Sequence, residues 1–221
     1  MNDDGFLDGV FDFVDGLMKY NYVPSKEKPA AIEKDEPFSV PMDKINSRPW
    51  KGIVWHHSFS ADTPKSNWEA IVKYQTSHRI DYNIVTPEEF LRRKKANDGT
   101  KFQRPWRDVG YNGGVEYLKG KPVYKSGRPL NMIGAHAGIR GNNKFNRDYI
   151  GLCCLGNFDV DAPPEDKWKF CLEVTRTFMK EFDIPAHKVI GHREVYDKMG
   201  IPQQKSCPGT AWDMDKFRME L

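Results

Sequence analysis

The sequence predicts an α/β fold, a central mixed β-sheet flanked by helices, preceded by an N-terminal amphipathic helix and a linker. Three observations predict it. Short apolar runs of strand character alternate with segments of helical periodicity, the pattern of layered α/β domains. The chain of 221 residues holds 13 Phe, 9 Tyr and 6 Trp, enough for a substantial core. A Pro-, Lys- and Glu-rich stretch without sustained period separates a leading element from one folded domain.

The elements follow in order. Within residues 1–22, Phe6, Leu7, Val10, Phe11, Val14, Leu17 and Met18 recur at helical spacing. Asp3 and Asp4 suit the positive end of a helix dipole. The result is a short helix with an acidic back, which argues against an anionic membrane surface. Its apolar face has two readings, packing on its own domain or docking to a protein partner. Residues 23–48 read as a polar linker, and the folded domain as 49–221.

GIVWHHS, residues 52–58, reads as a buried strand. SNWEAIVKYQTSHR, 66–79, is helical through Trp68, Ile71, Val72 and Tyr74 or Gln75. In the next helix, 86–97, Thr86 caps, Pro87 takes the first helical position and Glu89 completes a capping box. Its basic end, Arg92 to Lys95, either complements the dipole or contacts an anionic polymer. Residues 109–130 read as a hairpin around Lys119–Pro122. DYIGLCCLGNF, 148–158, reads as a central strand, apolar on both faces. Residues 163–182 form an amphipathic helix with an inner stripe of Trp168, Cys171, Leu172, Thr175, Phe178, Met179 and Phe182. HKVIGHREV, 187–195, reads as one more strand running into a loop.

Residues 1–48 hold ten acidic and six basic side chains, a balance of −4, which leaves +7 on the remainder of a chain of net charge +3. A basic body suits polyanionic surroundings, yet no nucleic-acid recognition element accompanies it. No nucleic-acid partner is expected. No apolar stretch approaches the ~20 residues of a membrane span. The N-terminus, MNDDGFLDG, carries acid where a signal peptide needs lysine or arginine.

Cys153 and Cys154 are strand neighbours that point to opposite faces, and Cys171 reads as a core residue. No disulfide framework is expected, which fits folding in a reducing compartment. Among six histidines, His56 and His192 each end an apolar strand, and Cys207 lies in the loop KSCPGT. Zinc accepts imidazole nitrogen and thiolate sulfur, and a catalytic site keeps one of four positions open for water. Spacing alone does not select this trio, because the three are far apart in sequence.

Seven motifs stand in order: IVWHHS (53–58), DVGYN (108–112), VYKSGR (123–128), IGAHAG (133–138), IGLCCLGNF (150–158), GHREV (191–195) and KSCPG (205–209). Together they resemble the type 2 N-acetylmuramoyl-L-alanine amidase and peptidoglycan-recognition-protein family, over about residues 50–215. The resemblance implies a zinc amidase domain with His56, His192 and Cys207 as metal ligands. It implies Tyr111 and Lys205 as catalytic residues, Lys205 stabilising the oxyanion. His136 is implied near the substrate groove and His57 is grouped with it, while Glu194 is expected to support a ligand. Asn143 or Asn146 matches a family asparagine.

The implied reaction is hydrolysis of the amide between N-acetylmuramic acid and L-alanine in bacterial peptidoglycan. The alternative is a protein that binds peptidoglycan without cutting it, against which Cys207 speaks. Some relatives carry glutamate where Cys153 stands, a departure that shifts proton handling to Tyr111, Lys205 or another group. Residues 80–107 and the loop from His192 to Cys207 are longer than usual and are expected near the groove. The Lys-x-Cys motif resembles phage amidase-type lysozymes. An endolysin made in the host cytoplasm and acting at the wall after release is therefore expected.

Overall fold

The computed structural model describes residues 47–63, 65–96, 101–139 and 141–221. The expected helix over 1–22 and the linker up to residue 46 lie outside the described residues.

Strand β1 (Gly52–His57) is buried at every position. Helix α1 (Trp68–Gln75) starts on Asn67, whose side chain accepts from the Ala70 N–H at 2.9 Å. It is shorter than the 66–79 expected from spacing. The Thr76 hydroxyl donates to the Val72 carbonyl at 2.8 Å, the helix ends, and Arg79 already belongs to a strand.

Strands β2 (Arg79–Ile80) and β3 (Asn83–Ile84) turn through Asp81 and Tyr82, both at positive φ (48° and 66°). Helix α2 (Pro87–Ala96) follows, then β4 (Phe102–Gln103). These strands form a small antiparallel sheet, β3-β2-β4, with Phe90 buried between His78 and Phe102. Thr86 caps α2 through the Glu89 N–H at 3.2 Å. Glu89 turns its carboxylate to Arg92 at 2.8 Å, so the reciprocal half of the expected capping box is not formed.

β5 (Gly113–Leu118) and β6 (Lys121–Ser126) make the expected hairpin, turning at Lys119 and Gly120 with φ of 52° and 76°. A short helix, α3 (Lys144–Asp148), leads into β7 (Tyr149–Cys154). Helix α4 (Glu165–Phe182), β8 (Val189–Gly191), α5 (His192–Lys198) and α6 (Met214–Met219) complete the chain. The main sheet has the order β6-β5-β7-β1-β8. β5, β7, β1 and β8 run parallel and β6 antiparallel, so the sheet is mixed and β7 is central, as expected.

One face of the sheet packs on α4. Ile53, Trp55, Leu152 and Cys154 meet Phe170, Cys171, Val174 and Phe178, and the Trp55 indole donates to the Thr175 hydroxyl at 3.0 Å. The buried face of α4 is rotated from the stripe expected. Lys167, Phe170 and Val174 are buried, while Trp168, Met179 and Phe182 lie at the margin. Lys167 tolerates burial because its ammonium reaches Asp62 at 2.5 Å and the Leu155 carbonyl at 2.7 Å.

Alternation along β1 and β7 sends Val54, His56 and Cys153 to the other face. The segment 187–195 also differs from expectation. β8 runs directly into a helix rather than a loop, and His192 is the first residue of α5. All four cysteines are free thiols.

Candidate metal centre

Three elements deliver three donors to the face opposite α4. His56 projects from β1 beside its register partner Cys153. His192 stands at the start of α5, where β8 ends. Cys207 lies in the loop between α5 and α6. His56 Nδ1 is 3.6 Å from Cys207 Sγ, and the His56 and His192 rings are 4.6 Å apart. One ligand atom from each of the three falls within 4.8 Å of the others.

Burial sets the protonation of these donors. It holds His56 well below the usual imidazole range, with His192, His136 and Lys205 adding to the effect. It brings His192 down to about 3, helped by the Lys205 charge. Both rings are therefore neutral at ordinary pH, with lone pairs free. Burial also pushes the Cys207 thiol up to about 12, opposed by the His57 backbone N–H, Lys205 and Arg193. A divalent cation would displace that proton. Two neutral imidazoles and one thiol, converging with Lys205 exposed at the edge, fit zinc with an open fourth position.

The Tyr111 ring is 5.1 Å from the His56 ring. Its hydroxyl pairs with the Cys153 thiol, and burial, followed by Cys153 and Cys207, drives its pKa well above the phenol range. Cys153 is fully buried, and burial likewise pushes its thiol well up. The cysteine in the place of a glutamate therefore remains a neutral thiol beside Tyr111.

The two residues grouped for substrate binding, His136 and His57, are both buried. His136 is 8% exposed and its Nδ1 is 3.0 Å from His56 Nε2. His57 is 6% exposed, sits between Phe59 and Phe158, and accepts the Phe158 N–H on Nδ1 at 3.2 Å. Asn146 accepts the N–H groups of His136 (2.8 Å) and Ala137 (2.6 Å), while Asn143 accepts from Asn146. Glu194 does not reach the His192 ring. It accepts the Gly191 N–H at 2.7 Å and pairs with Arg218 at 2.9 Å, which anchors the first turn of α5 and so His192.

Sequence reasoning missed two residues that hold the Cys207 loop. The Arg193 guanidinium donates to the carbonyls of Ser206 (3.2 Å), Gly209 and Trp212 (2.7 Å). Asp159 accepts the Ser206 hydroxyl at 2.7 Å and the Thr210 N–H at 2.8 Å. Their signal was position alone, Arg193 within GHREV and Asp159 directly after IGLCCLGNF. Gly209, at φ 120°, passes so close to Phe158 that a Cβ would lie 2.4 Å from its backbone.

A family model described as N-acetylmuramoyl-L-alanine amidase matches residues 46–210. Peptidoglycan-recognition protein LB of Drosophila melanogaster is 30% identical over 129 residues, which are 56% of this chain and 47% of that protein. The match thus spans about half the length of that curated relative. Among solved structures, the endolysin N-acetylmuramoyl-L-alanine amidase LysCS from Clostridium intestinale URNW superposes with a TM-score of 0.50. It is 16% identical, with 89% of this chain and 97% of that one covered. Bumblebee PGRP-SA gives a TM-score of 0.50 at 16% identity, covering 86% and 87%. These two likenesses concern the fold.

Proposed function

Because the chain belongs to the N-acetylmuramoyl-L-alanine amidase family, we propose that it hydrolyses the amide joining N-acetylmuramic acid to L-alanine in bacterial peptidoglycan, with zinc as its metal. The observation that carries this reading is the convergence of His56, His192 and Cys207 on one point. A zinc ion there would polarise the scissile carbonyl and lower the pKa of a water molecule.

This chain's own residues supply the rest. Lys205, exposed at the rim and felt electrostatically by all three donors, stabilises charge developing on the carbonyl oxygen. Tyr111 keeps its proton and offers a hydroxyl beside His56. Cys153 orients that hydroxyl and takes no part as a base, since its thiol stays protonated. No helix among the described residues is long and apolar enough to cross a membrane.

The finer reading is a phage or prophage lysis enzyme, made in the bacterial cytoplasm and acting at the wall after release. Its support is the Lys205-Ser206-Cys207 motif and its likeness to phage amidase-type lysozymes. Lysis of host cells only when a membrane pore is co-expressed would support it. Lysis without the pore would oppose it.

Metal content and cleavage of a purified disaccharide–peptide muropeptide test the activity. The account expects about one zinc per chain, release of free disaccharide and free stem peptide, and loss of both metal and cleavage in Cys207→Ala. Zinc binding and peptidoglycan binding without cleavage would instead identify a recognition protein.

A further inference from the structure

His56 could in principle offer either ring nitrogen to a metal, and the residues behind it decide which. The Tyr149 carbonyl lies 3.1 Å from His136 Nε2. A carbonyl can only accept, so the His136 proton sits on Nε2. A neutral imidazole carries one proton, which leaves His136 Nδ1 as an acceptor. His56 Nε2 is 3.0 Å from that Nδ1 and must therefore donate to it. The His56 lone pair remains on Nδ1, the atom that faces Cys207 Sγ at 3.6 Å.

The His136 ring is held in a slot cut for it. A Cβ at Gly151 would stand 2.4 Å from both Cγ and Cδ2 of His136, and one at Gly134 would stand 2.5 Å from Cδ2. Only glycine fits at either place. The Asn146 side chain fixes the backbone of His136 and Ala137 from the other direction. The ring is thus aimed away from solvent and at the back of His56.

We propose that His136 is a positioning residue, which holds His56 as the Nε2–H tautomer and so commits His56 Nδ1 to the metal. The chain of donors runs from His56 Nε2 to His136 Nδ1 and from His136 Nε2 to the Tyr149 carbonyl. This inference rests on the metal reading of the three-donor cluster. It gives His136 a place directly behind His56.

The test uses the full chain labelled with 15N-histidine. Long-range 1H–15N correlation spectra of the metal-free protein report the tautomer of each ring, and the cadmium-113 form reports which nitrogen is bound. The proposal expects Nε2–H on both His56 and His136, and cadmium coupling to His56 Nδ1. His136→Ala should weaken zinc binding by roughly 10–100-fold, the usual effect of removing a ligand's hydrogen-bond partner. His136→Asn, whose amide oxygen takes the place of Nδ1, should recover most of that loss. If His136→Ala does not fold, the wild-type spectra still decide. A proton on His56 Nδ1, or cadmium coupling through Nε2, would overturn the proposal, as would unchanged zinc affinity in a folded His136→Ala. None of these readouts requires amide cleavage, so failure of the amidase reading would be seen separately.

Discussion

The backbone N–H of Arg193 donates to the carbonyl of Cys207 at 2.6 Å, tying the neighbour of one donor to another donor directly. His56 sits on a strand and His192 on a helix, but Cys207 sits on a loop. The Arg193 guanidinium supplies the rigidity that the loop lacks. Arg193→Met should leave the carbonyls of Ser206, Gly209 and Trp212 without their charged donor. We expect a stability loss of about 3 kcal/mol and zinc affinity lowered roughly tenfold or more. Thermal unfolding and competition with a chromophoric chelator would measure the two.

Asp159 holds the same loop from the other side. Its carboxyl lies below the ordinary carboxylate range, chiefly because the Ser206 hydroxyl donates to it, with the Thr210 N–H adding to this. A depressed carboxyl stabilises the fold above its unfolded pKa, and that contribution is lost as pH falls through the folded value. Asp159→Asn should therefore unfold at a lower temperature than wild type near neutrality. The difference should shrink below about pH 4, the unfolded carboxylate range. Melting curves across pH 3–7 test this, and a difference that grows with acidity would contradict it.

The buried histidines titrate in the opposite chemical sense but with the same direction in pH. Burial lowers His192 to about 3 and His136 to about 4. The unfolded chain binds protons near pH 6.5 that the folded chain refuses, so stability falls as pH drops from there toward those values. Metal-free protein should lose melting temperature steadily below about pH 6.5. Zinc should raise the whole curve near neutrality by preferential binding to the fold.

Much of this architecture is legible in the sequence. β1 and β7 are continuous apolar runs, and their burial at every position follows from parallel neighbours on both sides. The length and period of α4 were equally plain, but not its exact face. Lys167 lies outside the stripe that the period marks, and its burial depends on Asp62, 105 residues away in sequence, and on the Leu155 carbonyl. α5 was hidden because its start depends on Glu194 accepting a glycine N–H, a weak signal in HREVYDK. The three donors came from ordered motif resemblance rather than spacing. The place of His136 behind His56 was not legible, because it depends on Gly151 and Tyr149, which meet its ring only in the fold.

Lys205 and Tyr111 separate chemistry from metal binding. Lys205→Ala should retain its zinc and lose roughly 10²–10³ in kcat, the scale of removing a charge-stabilising donor. Tyr111→Phe should fall in the same range. Cys153→Ala should stay within about tenfold of wild type, because a thiol whose burial keeps it protonated makes no base at neutral pH. A large loss in Cys153→Ala with zinc still bound would assign that thiol a direct role.

The most direct test is to digest purified cell-wall sacculi and identify the new chemical ends, with and without a chelator and after zinc is restored. The account predicts new N-terminal alanine that disappears on chelation and returns with zinc, and no new reducing sugar. New reducing ends, or alanine release indifferent to the chelator, would contradict it.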